Sequence, residues 1–359
     1  MVDDRFGERG TAEGERSLTL ASAERLLRLL TAVPGRRDEA LAVVNGFFGD
    51  RLADLGSTLA IPMTMHSGTE ALSIDRHSLA HTFPRATGRI ALLVHGLMST
   101  DSVWGFPGDP ATTYGSLLAR DHGVTPVSLR YNTGRHISTN GREFARLLHQ
   151  LVAAWPVPVR DITLIGHSMG GLVIRSACHY TSATRPWRDY VRFRRSWTSK
   201  TRRVVLIGVP NTGAPLEVLV SMASAALWSL PIPATHLVGL GLDARSAGIK
   251  DLRFGAITDE DWLEPNLDAG ERHVAHRLAV LRRASYLTIA GAVTADPAHP
   301  LARVFGDALV TASSASGILS ETTGEALFPG STVRLFPKVT HVALAHRPEV
   351  YDEIDCWWS

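Results

Sequence analysis

The chain has 359 residues, 45% of them hydrophobic and 20% charged, so it can bury a sizeable core as one large α/β domain with insertions or as two modest domains. Its formal net charge is only +2, and the densest basic segment, Arg185 to Arg203, lacks the motifs of a nucleic-acid-binding module, so we expect no nucleic-acid partner. Cys178 and Cys356 are the only cysteines, which excludes a disulfide framework and a cysteine-based metal site.

The N-terminal part of the sequence predicts a charged tail followed by two helices. The opening segment, MVDDRFGERGTAEGERS, lacks the basic-then-apolar order of a secretory signal, so we expect a cytoplasmic protein. Next, SLTLASAERLLRLLTAV places leucines at helical spacing, and RDEALAVVNGFFGDRLADLG has a second amphipathic pattern that ends near Gly56. We interpret residues 1–60 as a tail with accessory helices and residues 61–359 as the main domain.

From Arg89 onward, strand-like and helix-like segments alternate. The first is RIALLVHG, a β-branched and leucine-rich run that is typical of a strand buried on both faces. This alternation predicts an α/β fold, with a mainly parallel central sheet and helices on both faces. Further strands are predicted in GVTPVSLRY, DITLIGH, RRVVLIGVP, ASYLTIAG and STVRLFP, and helices around Thr113 to Arg120 and in NGREFARLLHQLVAAW, MGGLVIRSACHY and RPEVYDEIDCWW.

An insertion is predicted at about residues 211–284, because about 75 residues separate RRVVLIGVP from ASYLTIAG. Within it, Val218 to Leu242 contains no Asp, Glu, Lys or Arg over a length typical of a membrane span. Pro231, Pro233 and His236 would break or hydrate a spanning helix, so we expect no transmembrane segment. We interpret the insertion as a cap or lid above the carboxyl ends of the strands, with a membrane-anchored scaffold as the alternative.

A glycine-rich motif interrupts the apolar run ITLIGHSMGGLVIRSA. Residues Gly166 to Gly170 match G-x-S-x-G between a predicted strand and a predicted helix, the context in which this motif forms a sharp turn. Larger side chains in place of the glycines would collide with the neighbouring strand and helix. The turn presents the hydroxyl of Ser168 at a helix N-terminus, where backbone N-H groups favour negative charge. We therefore predict that Ser168 is an exposed nucleophile.

A serine nucleophile needs a base, usually a histidine that a carboxylate orients. His341 lies in the loop between the last predicted strand and the last helix, and we favour it over His346, which adjoins the helix-opening RPEV. For the acid, the loop after ASYLTIAG offers Asp307, in the glycine-led turn VFGDALV, and Asp296, whose neighbour Pro297 fits a structural turn. We predict His341 as the base and Asp307 as the acid, with His346 and Asp296 as their rivals.

The oxyanion formed during acyl transfer needs two backbone donors, one directly after the nucleophile and one in the loop after an earlier strand. Met169 follows Ser168, and Leu97 lies in the loop HGLM after the strand RIALLV. We predict that the N-H groups of Leu97 and Met169 form an oxyanion hole. His95 and His167 are expected to be structural, with no part in proton transfer.

The order of these motifs resembles that of a known superfamily. HGL after a strand, GHSMGG, VPNTGAP, GDALV and THVALAHRPEVYDEI follow one another as in the α/β-hydrolase superfamily, and the resemblance spans Ile90 to Trp358. More closely, the chain resembles the bacterial serine lipases and esterases that include proteins similar to the GPI inositol-deacylase. The resemblance implies an α/β-hydrolase fold and a catalytic triad of Ser168, Asp307 and His341.

Together these residues predict a serine hydrolase that cleaves carboxylic esters through an acyl-enzyme on Ser168, without a metal or an organic cofactor. The uncharged stretch Val218 to Leu242 favours a lipid-like ester substrate, and contact with a lipid interface, over short-chain or polymeric esters. The same triad is compatible with acyl transfer to an alcohol or with thioester hydrolysis. A catalytically silent binding protein on the same fold is the alternative from another class, and the oligomeric state stays open.

Overall fold

The computed structural model describes residues 18–31, 36–183, 196–214, 246–263, 280–292, 310, 312–320 and 325–358. Three features of the sequence analysis lie outside these residues. They are the uncharged stretch Val218 to Leu242 and the two candidate acids, Asp296 and Asp307. Of the predicted insertion, about residues 211–284, the structure describes residues 211–214, 246–263 and 280–284.

A sheet of eight strands forms the centre of the described structure. The strands are β1 (Thr64–Ser67), β2 (Glu70–Ala71), β3 (Arg89–Val94), β4 (Thr125–Arg130), β5 (Asp161–His167), β6 (Thr201–Ile207), β7 (Ser285–Ala292) and β10 (Thr332–Pro337), while β8 (Ile318–Ser320) and β9 (Glu325–Ala326) form a separate hairpin. Their order in the sheet is β10-β7-β6-β5-β3-β4-β1-β2. All pairs from β10 to β4 are parallel, whereas β1 and β2 add in antiparallel fashion. The predicted mainly parallel sheet is confirmed.

Helices follow the strands at most of the predicted positions. They are α1 (18–30), α2 (Arg37–Asp54), α3 (Arg76–Thr82), α4 (Tyr114–His122), α5 (Ile137–Ala154), α6 (Met169–Ala183), α7 (Ala247–Phe254), α8 (Glu260–Leu263), α9 (Ala312–Ser316) and α10 (Pro348–Trp358). The local chemistry of α4 explains its bounds. Thr113 and Ser116 form a reciprocal capping box at its start, and Gly123 ends it with a left-handed φ of 62°.

The core has two halves, one on each face of the sheet. Successive residues of β3 alternate between them: Ile90, Leu92 and Val94 face the half that contains α2, α5 and α6, whereas Ala91 and Leu93 face the half that contains α4 and α10. Because side chains alternate along a strand, an unbroken apolar run is what a strand buried on both faces requires. The predicted covering of both faces is therefore confirmed.

The antiparallel edge of the sheet was not predicted from the sequence. Strand β1 has four residues and β2 has two, and β1 pairs with β4. Runs of this length show too few alternations to be distinguished from a loop, so their pairing depends on the neighbouring strand rather than on local sequence.

No helix within the described ranges combines the length and the apolar character needed to cross a membrane.

Candidate active site

Ser168 lies at the sharp turn between β5 and α6. Its φ of 54° falls in the left-handed region, which is strained for a residue other than glycine. The turn is held on both sides, because the N-H of Ser168 donates to the Ile207 carbonyl of β6 at 2.8 Å, and the Gly171 N-H donates to the Ser168 carbonyl at 3.0 Å. The strand, the strained serine and the helix together form the predicted elbow.

The glycines of the motif allow this turn to pack closely. A Cβ atom at Gly166 would lie 2.6 Å from the Gly171 Cα, and one at Gly170 would lie 2.5 Å from the His95 carbonyl oxygen. Both neighbours are backbone atoms, which cannot rotate away as the end of a flexible side chain can. The predicted collision is confirmed, and glycine is the residue that fits at both positions.

The side chain of Ser168 is buried, with only 1% of its surface exposed, so the expectation of an exposed hydroxyl was wrong. The cause is the close packing of distant segments around the elbow. A Cβ atom at Gly96 would lie 2.8 Å from the Ser168 Cβ, which shows how closely the loop after β3 approaches. No described residue makes a hydrogen bond to Ser168 Oγ.

The two predicted oxyanion donors lie on either side of this contact. Met169 is the first residue of α6, where the backbone N-H has no acceptor within the helix. Leu97 follows Gly96, which packs directly on Ser168. The next residue, Met98, has a left-handed φ of 55°, and its N-H donates to Thr133 Oγ1 at 3.2 Å. The loop that carries Leu97 and the start of α6, which carries Met169, therefore meet at Ser168.

His341 is buried, with 2% of its surface exposed, and precedes the short 3₁₀ turn Val342–Ala345 after β10. Its backbone carbonyl accepts a hydrogen bond from His167 Nε2 at 3.0 Å, and the centres of the two rings are 4.8 Å apart. The rival, His346, has its Nδ1 3.0 Å from the Val103 carbonyl oxygen instead. The structure therefore brings His341, and not His346, against the residue that precedes Ser168.

His167 connects the elbow to the His341 loop, a role that the sequence analysis did not predict. Because a carbonyl oxygen only accepts, Nε2 of His167 must carry the hydrogen. Burial holds the pKa of His167 well below its ordinary value, and the neighbouring His341 lowers it further. The ring also meets the edge of Trp104, with centres 6.3 Å apart. No signal in a single sequence pairs His167 with a carbonyl so far along the chain.

His95 is a second fully buried histidine near the elbow. Its Nδ1 lies 2.9 Å from the Gly96 carbonyl oxygen, and its ring stacks on Tyr131 with centres 4.6 Å apart. The Tyr131 hydroxyl donates to the His95 carbonyl at 2.8 Å. Burial lowers the pKa of His95 to about 4, so the ring is neutral at pH 7. These contacts suit a structural residue that holds the loop after β3.

A parallel sheet in which β5 ends in a serine elbow, with a buried histidine beyond the last strand, is the architecture of an α/β hydrolase. The sequence agrees, because residues 91–354 match the model of the alpha/beta hydrolase family. The chain belongs to this family. The predicted α/β-hydrolase fold is confirmed.

Solved structures similar to the chain include bacterial lipases and esterases. The lipase BlEst2 of Bacillus licheniformis in its mature form is 17% identical, with a TM-score of 0.47, over 83% of this chain and 98% of that one. The esterase RhEst1 of Rhodococcus sp. ECU1013 is 17% identical, with a TM-score of 0.41, over 76% and 91%. A thermophilic esterase of Thermogutta terrifontis is 16% identical, with a TM-score of 0.40, over 76% and 90%. No curated protein sequence matches the chain.

Proposed function

We propose that the protein is a serine hydrolase that cleaves carboxylic esters, with Ser168 as nucleophile, His341 as base and Asp307 as acid. The observation that carries this proposal is the left-handed, tightly packed serine between β5 and α6. A strained backbone at a non-glycine residue persists only where the surrounding structure holds it, and such strain is concentrated at functional sites. Membership of the alpha/beta hydrolase family supports the same class of reaction.

In the proposed acylation step, Ser168 Oγ attacks the ester carbonyl carbon while His341 takes the hydroxyl proton. The carbonyl oxygen becomes an oxyanion, which the N-H groups of Leu97 and Met169 stabilise. The tetrahedral intermediate then expels the alcohol, which receives the proton from His341. Asp307 stabilises the imidazolium that exists between these two proton transfers. The product is an acyl-enzyme on Ser168.

In the proposed deacylation step, a water molecule replaces the alcohol. His341 removes its proton as the water oxygen attacks the acyl carbon, and the same two N-H groups hold the second oxyanion. Collapse of this intermediate breaks the bond to Ser168 Oγ, which recovers its proton from His341 and releases the carboxylic acid. No metal ion or organic cofactor takes part in the scheme.

The proposed substrate is a lipid-like ester. This part of the proposal is supported by the uncharged stretch Val218 to Leu242, which supplies apolar side chains in the predicted cap. It is also supported by the resemblance of the motifs to bacterial lipases and to proteins similar to the GPI inositol-deacylase. A panel of p-nitrophenyl esters from C2 to C16 tests it: a rise in kcat/KM with chain length is expected, and a maximum at C2 would contradict it.

The triad is tested by comparing each residue with its rival in the chain. Ser168→Ala, His341→Ala and Asp307→Asn are each expected to lower kcat/KM, with Ser168→Ala losing at least about 10³-fold. His346→Ala and Asp296→Asn are the matched controls and should retain turnover. Labelling by an organophosphate should disappear in Ser168→Ala. Undiminished turnover of that variant would refute the proposed nucleophile.

Hydrolysis and acyl transfer are separated by the fate of the acyl group. With a p-nitrophenyl ester and added alcohol in water, the free acid is expected as the main product. A dominant ester product would instead identify the protein as an acyltransferase on the same triad.

A further inference from the structure

We infer that α2, which lies outside the part of the chain that matches the family, positions the proposed oxyanion donor Leu97. The inference rests on the proposed function. The relevant loop is residues 95–98, named the oxyanion loop from here on. Its far side packs on α2, whose buried residues include the two glycines Gly46 and Gly49.

The first contact joins Gly46 to Met98. A Cβ atom at Gly46 would overlap the Met98 Cγ and lie 3.0 Å from its Cε. Met98 directly follows Leu97 and is one of three residues other than glycine, among those that the structure describes, with a left-handed φ. The Met98 side chain therefore packs against α2 at Gly46, where the helix has no side chain of its own.

The second contact holds the loop that accepts the Met98 N-H. Asn132 Nδ2 donates to the Gly49 carbonyl at 2.8 Å, and a Cβ atom at Gly49 would lie 2.8 Å from the Asn132 Cγ. Thr133, the next residue, accepts the hydrogen bond from the Met98 N-H. The main chain of Met98 is thus held by its hydrogen bond to Thr133, and its side chain is held by packing on Gly46.

The helix itself cannot easily move to relieve an added methyl group. At the start of α7, Ser246 Oγ donates to the Gly46 carbonyl at 2.6 Å, and the Ala247 N-H donates to Asp50 Oδ2 at 2.8 Å. Val44 and Phe48 of α2 also belong to the half of the core that contains α5 and α6. An overlap at Gly46 must therefore displace Met98, and with it the end of the oxyanion loop.

Displacement of the loop should affect the transition state more than the bound substrate, because the donors are aimed at where charge develops. Gly46→Ala is thus expected to lower kcat for p-nitrophenyl butyrate by about 10-fold to 100-fold, with KM within about twofold. Inhibition by a trifluoromethyl ketone, which forms a tetrahedral adduct with a serine, should weaken in proportion to the loss of kcat. A general loss of stability would not make ketone inhibition and kcat fall by the same factor in the protein that remains folded.

The contact with Met98 is tested by a double variant. Met98→Ala removes the overlapping side chain, so Gly46→Ala combined with Met98→Ala should recover kcat to the level of Met98→Ala alone. Gly115→Ala is the matched control, because Gly115 is a helical glycine of α4 that packs on Pro126 and Leu93 rather than on the oxyanion loop. It should leave kcat and ketone inhibition near those of the wild type.

Folded Gly46→Ala with unchanged kcat would overturn the inference, and so would a double variant no more active than Gly46→Ala. If Gly46→Ala does not fold, Met98→Ala carries the test, since loss of the packed side chain should itself lower kcat several-fold and an unchanged kcat would refute the role of the contact. Ser168→Ala separates the two proposals. Retained turnover there refutes both, whereas its loss with an unaltered Gly46→Ala refutes only the role of α2.

Discussion

Acid should destabilise the protein because buried histidines beside the proposed nucleophile are held neutral. His95 has none of its surface exposed, and burial lowers its pKa from 6.5 to about 4, although the Gly96 carbonyl partly opposes this change. The pKa of His167 is also lowered, mainly by burial. In the unfolded chain both rings would return to the ordinary pKa of about 6.5. As the pH falls, these two histidines are therefore protonated in the unfolded chain at a higher pH than in the folded protein.

The sign and size of the effect follow from this difference. Above pH 6.5 neither state binds the proton at His95, and the contribution to stability is complete; between pH 6.5 and about 4 only the unfolded state binds it, and stability is lost. Since one pKa unit corresponds to about 1.4 kcal/mol, the loss from His95 is about 1 kcal/mol at pH 6, about 2 kcal/mol at pH 5 and about 3 kcal/mol at pH 4. His167 adds a loss of the same sign.

Urea unfolding at several pH values between 7 and 4 measures this loss when the wild type is compared with His95→Asn. Asparagine keeps an N-H donor near the position of Nδ1, which faces the Gly96 carbonyl, but it does not titrate. The free energy of unfolding of the wild type should fall relative to that of the variant by about 3 kcal/mol from pH 7 to pH 4. Parallel pH dependences in the two proteins would refute the reasoning.

Two further predictions use matched pairs of variants. His167→Gln keeps an N-H donor for the His341 carbonyl and should retain more of kcat than His167→Leu, with KM alike in both; equal kcat values would contradict a positioning role for the hydrogen bond. Gly166→Ala, whose methyl group would meet the Gly171 backbone, should lower the free energy of unfolding by about 3 kcal/mol or more. Gly123→Ala, in open space with a left-handed φ, should cost only about 1 kcal/mol, and similar losses in thermal or urea unfolding would count against the collision.

The central strands and the elbow were predictable because their determinants are local. Strand β5 is an apolar run between polar residues, and Gly166 near its end is required by a contact with Gly171 in the same strand-turn-helix unit. The helix α2 was predicted for the same reason, from its amphipathic pattern. An amphipathic pattern indicates that one face of a helix is buried, but it does not identify the residues against which that face packs. The contact of Gly46 with Met98 was therefore beyond a reading of the sequence.

The start of α5 could not be predicted from the sequence, because the residue that caps it is distant along the chain. The sequence predicts a helix from Asn140, yet the helix begins at Ile137. Its first N-H donates to Asp251 Oδ2 at 2.8 Å, and His136 Nδ1 lies 3.0 Å from the same carboxyl group. The acceptor comes from the insertion, more than a hundred residues along the chain. Because no local residue supplies this cap, no local pattern announces the helix start.

Three buried histidines, His95, His167 and His341, lie on the segments that pack near the Ser168 elbow, and hydrogen bonds to carbonyl groups engage the rings of two of them. Nε2 of His167 donates to the His341 carbonyl, and Nδ1 of His95 faces the Gly96 carbonyl. Burial lowers the pKa of both rings, so each is a weak base at neutral pH and a poor acceptor of a proton from serine. These hydrogen bonds and lowered pKa values support the proposal that neither His167 nor His95 is the base. His167, next to Ser168, holds the loop of His341 through its hydrogen bond to the His341 carbonyl, and His341 itself is the residue proposed to transfer the proton.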